Sequence, residues 1–208
     1  MPRRIDVSLW LNAEPLVLAS KSAVRRALIE AAGIPLEVAP ADIDERAVEA
    51  RAAAGSAADA ASLLAREKAR VGAGSARGRW VVGADQTLAL GPTRFTKPAD
   101  RAAAREQLRK LSGRTHELHA AVALARDGRV IFSHVDTAKL TMRALSERFL
   151  DAYLDAAGAA VTASVGGYQL EGLGSHLFER IEGDYFTVLG LPLFALLGVL
   201  RREGCLAG

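Results

Sequence analysis

The sequence predicts an α/β fold built on a mixed, twisted sheet flanked by helices. Three observations lead there. Leu16–Ala19 and Trp80–Ala84 are short apolar runs of buried-strand type, each next to a stretch with helical periodicity and cap signals. His119–Leu140 alternates as a hairpin does, around the turn signal Asp127-Gly128. Strands and helices mingle without strict βαβ alternation, which argues against a purely parallel sheet.

In chain order, Pro15 precedes the strand Leu16–Ala19, and Ser20-Lys21-Ser22 leads into a helix over Val24–Ala32. Val24, Leu28 and Ala31 share one side of that helix, and Gly33 is a natural stop. Leu36–Ala39 reads as a second strand, followed by the acidic Asp42-Ile43-Asp44-Glu45. An Ala-rich helix over Ala57–Gly72 carries Leu63, Leu64 and Val71, and the strand Trp80–Ala84 is expected to end on Asp85. Asp100 caps a third helix with Ala103, Leu108 and Leu111 on its apolar side. After the hairpin, Ser146 caps a helix bearing Phe149, Leu150, Tyr153 and Leu154, closed by Gly158. Gly166–Asp184 is Gly-rich and strand-like, and Pro192 starts a last apolar helix. No internal repeat, low-complexity linker or domain boundary interrupts the chain, so residues 1–208 read as a single domain.

Composition excludes several classes. Half of the 208 residues are hydrophobic and the net charge is only +3, which is not the balance of a disordered chain. One cysteine, Cys205, rules out a disulfide scaffold and suits a reducing compartment. Arg3 and Arg4 are followed by Asp6, Asn12 and Glu14, which break any apolar signal core. The uncharged stretch Phe186–Leu200 contains Pro192 and falls short of the ~20 residues of a membrane span. A soluble, cytoplasmic protein without membrane or nucleic-acid partners is expected, because the positive charge is spread rather than gathered in a basic run.

Several constellations bear chemistry. Ser20-x-Ser22 followed by Arg25-Arg26 sets hydroxyls and guanidiniums at a helix N-terminus, a donor set for a phosphate; Ser22 as a simple N-cap with a solvated Arg pair fits the same residues. Asp85 at a strand end, and Asp42, Asp44 and Glu45 after another, supply carboxylates of the kind Mg²⁺ needs when it is shared with phosphates. Lys68 and Lys97 are two of only five lysines beside 22 arginines, and Lys97-Pro98 holds a cation on a stiff segment. The chain lacks a P-loop, a dinucleotide glycine fingerprint and a G-x-S-x-G elbow. His116-Glu117-Leu118-His119 lacks zincin spacing, and on a strand its two rings would point to opposite faces.

Taken in order, Leu16–Arg26, Asp44-Glu45, Arg66-Glu67-Lys68-Ala69 and Val82-Gly83-Ala84-Asp85 resemble the Maf family of nucleoside triphosphate pyrophosphatases. So do Lys97-Pro98-x-Asp100, Leu111–His116, Glu171-Gly172, Ile181–Tyr185 and Gly190-Leu191-Pro192. The resemblance implies two lobes around a nucleotide-binding cleft, often in a homodimer, and a Mg²⁺- or Mn²⁺-dependent hydrolase cutting an NTP into NMP and pyrophosphate. The general base would fall on Asp85 and the second acidic position on Glu45, the two also holding the metal. Ser20, Ser22, Arg25, Lys68 and Lys97 would line the triphosphate, with Gln86 and Glu171 at the base. Ala23-Val24 stands where the family usually has Pro-Arg or Pro-Trp, while Gln86 and Glu171 match members directed at 7-methyl-GTP. The alternatives are therefore a dedicated 7-methyl-GTP pyrophosphatase and, from another class, a septum-formation inhibitor acting by protein binding.

Overall fold

The computed structural model describes residues 9–51 and 55–208; Arg3, Arg4 and Asp6 lie outside the described residues. The elements run β1 (Leu16–Leu18), α1 (Ala23–Ala31), β2 (Leu36–Val38), α2 (Glu45–Arg51), α3 (Ala57–Ser75), β3 (Val81–Leu90) and β4 (Thr93–Phe95). They continue with α4 (Arg101–Leu111), β5 (Thr115–Arg126), β6 (Arg129–Met142), α5 (Glu147–Ala157), β7 (Phe178–Glu182), α6 (Tyr185–Val188) and α7 (Leu193–Arg202). One seven-stranded sheet has the order β2-β1-β3-β5-β6-β7, with β4 also pairing β3. The β1–β2 and β1–β3 pairs are parallel and all the others antiparallel, so the sheet is mixed as expected.

Most helix starts follow the local signals. Ser22, Asp100 and Ser146 each accept a backbone N–H from the first turn, and Ser56 with Asp59 closes a reciprocal capping box on α3. The β5–β6 turn puts both Asp127 (φ 51°) and Gly128 (φ 74°) in the left-handed region, the twist a two-residue hairpin loop requires.

Other expectations are corrected. β3 does not end on Asp85 but runs on to Leu90, because Gln86–Ala89 keep pairing with β5. α1 turns Ile29 into the core rather than Ala31, which is exposed. α3 buries Ala60, Ala61, Leu64, Ala65, Lys68, Ala69, Gly72 and Ala73, while Leu63 and Val71 stay part-exposed. A helix lying this close to a sheet favours small residues over large ones. Within Gly166–Asp184 only Phe178–Glu182 is a strand, since Gly166 (φ 85°) and Gly167 (φ 76°) turn the backbone out of the extended region. β4, α2 and α6 have no counterpart in the elements read from sequence.

Alternation along β3 assigns its two faces. A Cβ on Gly83 would lie 2.2 Å from the Ala65 carbonyl oxygen and 2.4 Å from the Ala69 nitrogen, so odd-numbered residues face α3. Even-numbered residues face two apolar clusters. Val82 and Ala84 join Leu18, Ile29, Leu191 and Leu196, whereas Leu88 joins Leu108, Leu118, Leu140, Leu150 and Tyr168. Gln86 sits between the two cores.

Candidate active site

The site occupies a gap in the sheet. On the β3 edge that does not pair with β5, β1 covers Val81 and Val82 and β4 covers Leu88–Leu90. Among the described residues, no strand covers Gly83–Thr87 there. The Arg25 side chain takes over one carbonyl that the ladder leaves unpaired, that of Ala84.

Toward α3, the bare glycine at position 83 brings the helix backbone down onto the strand. From the same turn, between those two contacts, Lys68 reaches across to Asp85, its Nζ donating to Oδ1 at 2.7 Å. The same ammonium lies 2.8 Å from Oε1 of Glu45, the first residue of α2. Lys68 is 8% exposed, which makes this a buried charge held by two carboxylates. Breaking such a cluster from one side leaves an uncompensated charge out of water.

Across the strand, Arg25 is fixed by three acceptors. Its Nε donates to the Gly190 carbonyl at 2.8 Å, and its Nη1 to the Ala84 carbonyl at 2.8 Å and to Ser20 Oγ at 3.2 Å. Ala84 is one of the residues in the uncovered gap, so Arg25 satisfies a carbonyl that a neighbouring strand would otherwise take. Burial pushes the Arg25 pKa down, and the negative charges of Asp85 and Glu45 oppose that shift. Ser20 Oγ also accepts from the Ser22 backbone N–H, and Ser22 Oγ from that of Arg25. Each hydroxyl thus keeps its own hydrogen to donate to an anion.

Of the residues singled out from sequence, the fold brings Ser20, Ser22, Arg25, Glu45, Lys68, Asp85 and Gln86 around this gap. Gln86 points to the face opposite Asp85, and its Nε2 donates to the carbonyls of Thr187 and Val188, both at 3.0 Å. Lys97 is exposed two residues past Phe95, which pairs with Leu88. Glu171 is exposed in the turn where Gly172 and Gly174 donate to the Gln169 carbonyl. Neither Lys97 nor Glu171 is brought into contact with the cluster. Asp44 caps Ala47. A cavity of about 510 Å³ beside Asp42, Gly72 and Arg79 opens toward the end of α3, away from Lys68. His116 is buried and meets the Tyr168 hydroxyl at 2.6 Å, while His119 meets Thr137 at 2.9 Å, and no group of three or more metal-binding side chains gathers among the described residues.

Sequence reasoning assigned no role to the Gly190 and Ala84 carbonyls. It also put Lys68 against phosphates rather than between two carboxylates. A signal for the latter was present, because Lys68 continues the apolar stripe Ala61-Leu64-Ala65 at helical spacing, an unusual address for a lysine unless it is paired.

The chain is similar to several known proteins over nearly its whole length. A relative from Rhodopseudomonas palustris named nucleoside triphosphate pyrophosphatase is 55% identical over 201 residues, spanning 97% of this chain and all of its own length. One from Bradyrhizobium diazoefficiens with the same name is likewise 55% identical over 201 residues, with the same coverage of both chains. A third, from Brucella abortus and named 7-methyl-GTP pyrophosphatase, is 52% identical over 195 residues, 93% of this chain and 98% of its own. Residues 15–203 match the family described as Maf-like protein, and the chain belongs to that family.

Proposed function

We propose that the chain is a nucleoside triphosphate pyrophosphatase that hydrolyses an NTP to NMP and pyrophosphate at the Lys68–Asp85–Glu45 cluster. One observation carries this reading. A buried ammonium joins two carboxylates beside a helix N-terminus whose hydroxyls and guanidinium are already oriented. The names of the relatives support the same reaction.

In this reading the triphosphate lies over the Ser20–Ser22 turn, where the α1 dipole, both hydroxyls and Arg25 favour negative charge. Arg25 Nη2 is the edge of the guanidinium left for phosphate, since Nε and Nη1 are held by Gly190, Ala84 and Ser20. Lys97, on its extended segment, adds a further cation. Water attacks the α-phosphorus, the bond to the bridging oxygen breaks, and pyrophosphate leaves. Asp85 accepts the proton of the attacking water, and Lys68 holds Asp85 in place while offsetting negative charge on the phosphoryl oxygens.

Asp85 and Glu45 fit a divalent cation such as Mg²⁺ or Mn²⁺, because their oxygens already converge on a single positive charge. Such ions are held by one or two carboxylates together with substrate phosphates and water. When bound, the ion would neutralise phosphoryl charge and acidify a coordinated water.

A preference for guanine-type bases, including 7-methyl-GTP, is the second reading. Its support is Glu171, a carboxylate able to accept from both N1–H and the 2-amino group of guanine, and the likeness to the Brucella relative. The test is incubation with a panel of NTPs, 7-methyl-GTP included, with Mg²⁺, with Mn²⁺ and with chelator. Equimolar NMP and pyrophosphate, dependent on the metal, are expected; orthophosphate and NDP, or no turnover of any nucleotide, would overturn the assignment.

A further inference from the structure

Lys68 stands where a divalent cation would have to enter. Its Nζ lies 2.7 Å from Asp85 Oδ1 and 2.8 Å from Glu45 Oε1, so one ammonium already closes the pair of carboxylates. The two halves of that bridge differ. The Asp85 side chain is 14% exposed and that of Glu45 58%, which makes Lys68–Asp85 the buried contact and Lys68–Glu45 the one that opens into water. Asp85 and Glu45 also act on Arg25, the second cation of the site. Two negative charges therefore face two positive ones, and no third metal-binding side chain joins the pair among the described residues. That balance leaves no net negative charge to hold a divalent ion by itself.

We propose that Lys68 is the resident counter-ion of the Glu45–Asp85 pair: it keeps the metal position closed in the free protein and yields Glu45 only when a triphosphate arrives, so that the divalent ion and the nucleotide enter together. This rests on the pyrophosphatase reading above. An ion sharing both oxygens meets the ammonium at close range. Even in water, a divalent ion and an ammonium about 4 Å apart repel strongly enough to change an affinity about tenfold or more. The triphosphate reverses the balance. Its oxygens supply the further ligands that Mg²⁺ and Mn²⁺ take from phosphates. They also accept from the ammonium, which has three donors and spends two of them on Asp85 and Glu45. Lys68 can thus release Glu45, turn toward a phosphoryl oxygen and keep Asp85. Metal and nucleotide binding are then coupled, and the coupling runs through this one side chain.

The test is titration of nucleotide-free protein with Mn²⁺, reading free Mn²⁺ by electron paramagnetic resonance. It compares wild type, Lys68→Met, Lys68→Arg and Lys68→Met combined with Asp85→Asn. Lys68→Met, which removes the charge and keeps the length, is expected to bind Mn²⁺ about tenfold or more tighter than wild type. Lys68→Arg keeps the charge and should bind no tighter than wild type, and the gain should vanish when Asp85→Asn is added. The factor by which a bound α,β-methylene NTP analogue raises Mn²⁺ affinity should be smaller in Lys68→Met than in wild type, because that variant has no ammonium to displace. If Lys68→Met does not fold without metal, its unfolding is followed with rising Mn²⁺, which should restore a cooperative transition and raise Tm more than in wild type. Equal Mn²⁺ affinity in wild type and Lys68→Met, the same gain in Lys68→Arg, a gain that survives Asp85→Asn, an equal analogue factor, or a Lys68→Met protein that Mn²⁺ does not rescue would each overturn the proposal. Inactivity of the wild type toward all NTPs would instead overturn the pyrophosphatase reading, and the nucleotide-free titration would still test whether Lys68 closes the metal position.

Discussion

Gly83→Ala adds one heavy atom where α3 and β3 leave no room for it. The new Cβ would lie 2.2 Å from the Ala65 carbonyl oxygen, 2.4 Å from the Ala69 nitrogen and 3.0 Å from the Ala69 Cα. All three are backbone atoms of α3, so no side chain can swing away. Relief requires α3 to lift from β3 by about 1 Å, against the packing of Ala65, Ala69 and Ala73 on Val81, Ala121 and Ala123. Overpacking of this kind costs about 1–3 kcal/mol or more. For a chain of this size each kcal/mol moves Tm by about 2–4 °C. Lys68 rides on the same turn of α3, so its 2.7 Å contact with Asp85 is stretched, and a displacement near 1 Å costs about 10²-fold in rate. Gly74→Ala is the control: it lies near the end of the same helix, nothing stands within 4 Å of its added Cβ, and Gly to Ala in a helix stabilises by about 0.5–1 kcal/mol. Thermal unfolding and pyrophosphate release, assayed below the lower Tm, read both effects. A Gly83→Ala protein with wild-type Tm and rate would refute the argument that this contact sets the site.

Two further outcomes follow from other parts of the molecule. Burial pushes His116 down to about 4 from an ordinary 6.5, so between these values the unfolded chain binds a proton that the folded chain excludes. Its contribution is intact above about pH 6.5 and is lost as pH falls toward 4, at about 1.4 kcal/mol per pH unit and about 3 kcal/mol in all. Urea midpoints at pH 7 and pH 5 should therefore diverge less in His116→Gln than in wild type, and equal divergence would contradict the assignment. Glu171→Gln should shift the substrate ranking away from guanine nucleotides by about 5- to 150-fold, the range for losing a bidentate base contact. Competition assays between GTP and UTP check it, and an unchanged ranking would remove Glu171 from the base.

What was legible in the sequence was local. Ser22, Asp100 and Ser146 cap helices because a cap is written within four residues, and Asp127-Gly128 specifies its turn by backbone conformation alone. The ordered motifs identified most of the residues that converge on the gap. What was not legible depends on partners far along the chain. Arg25 finds its acceptor at Gly190, 165 residues away, and Gln86 finds its own at Thr187, 101 residues away. The end of β3 was misjudged because a carboxylate after an apolar run resembles a strand terminus; pairing with β5 through Ala89 and with β4 at Leu90 carries the strand five residues further. The buried side of α3 was not legible because Leu63 and Val71 outweigh alanines in hydrophobicity, whereas close approach at Gly83 selects the alanines.

In the proposed reaction Asp85, held by Lys68 beside Glu45, is the base for attack on the α-phosphorus. Steady-state pyrophosphate release by Asp85→Asn, at saturating nucleotide and Mg²⁺ and with Tm measured on the same sample, tests it most directly. A folded protein whose kcat falls by about 10²–10⁴ is expected. A folded Asp85→Asn protein turning over at near the wild-type rate would contradict it.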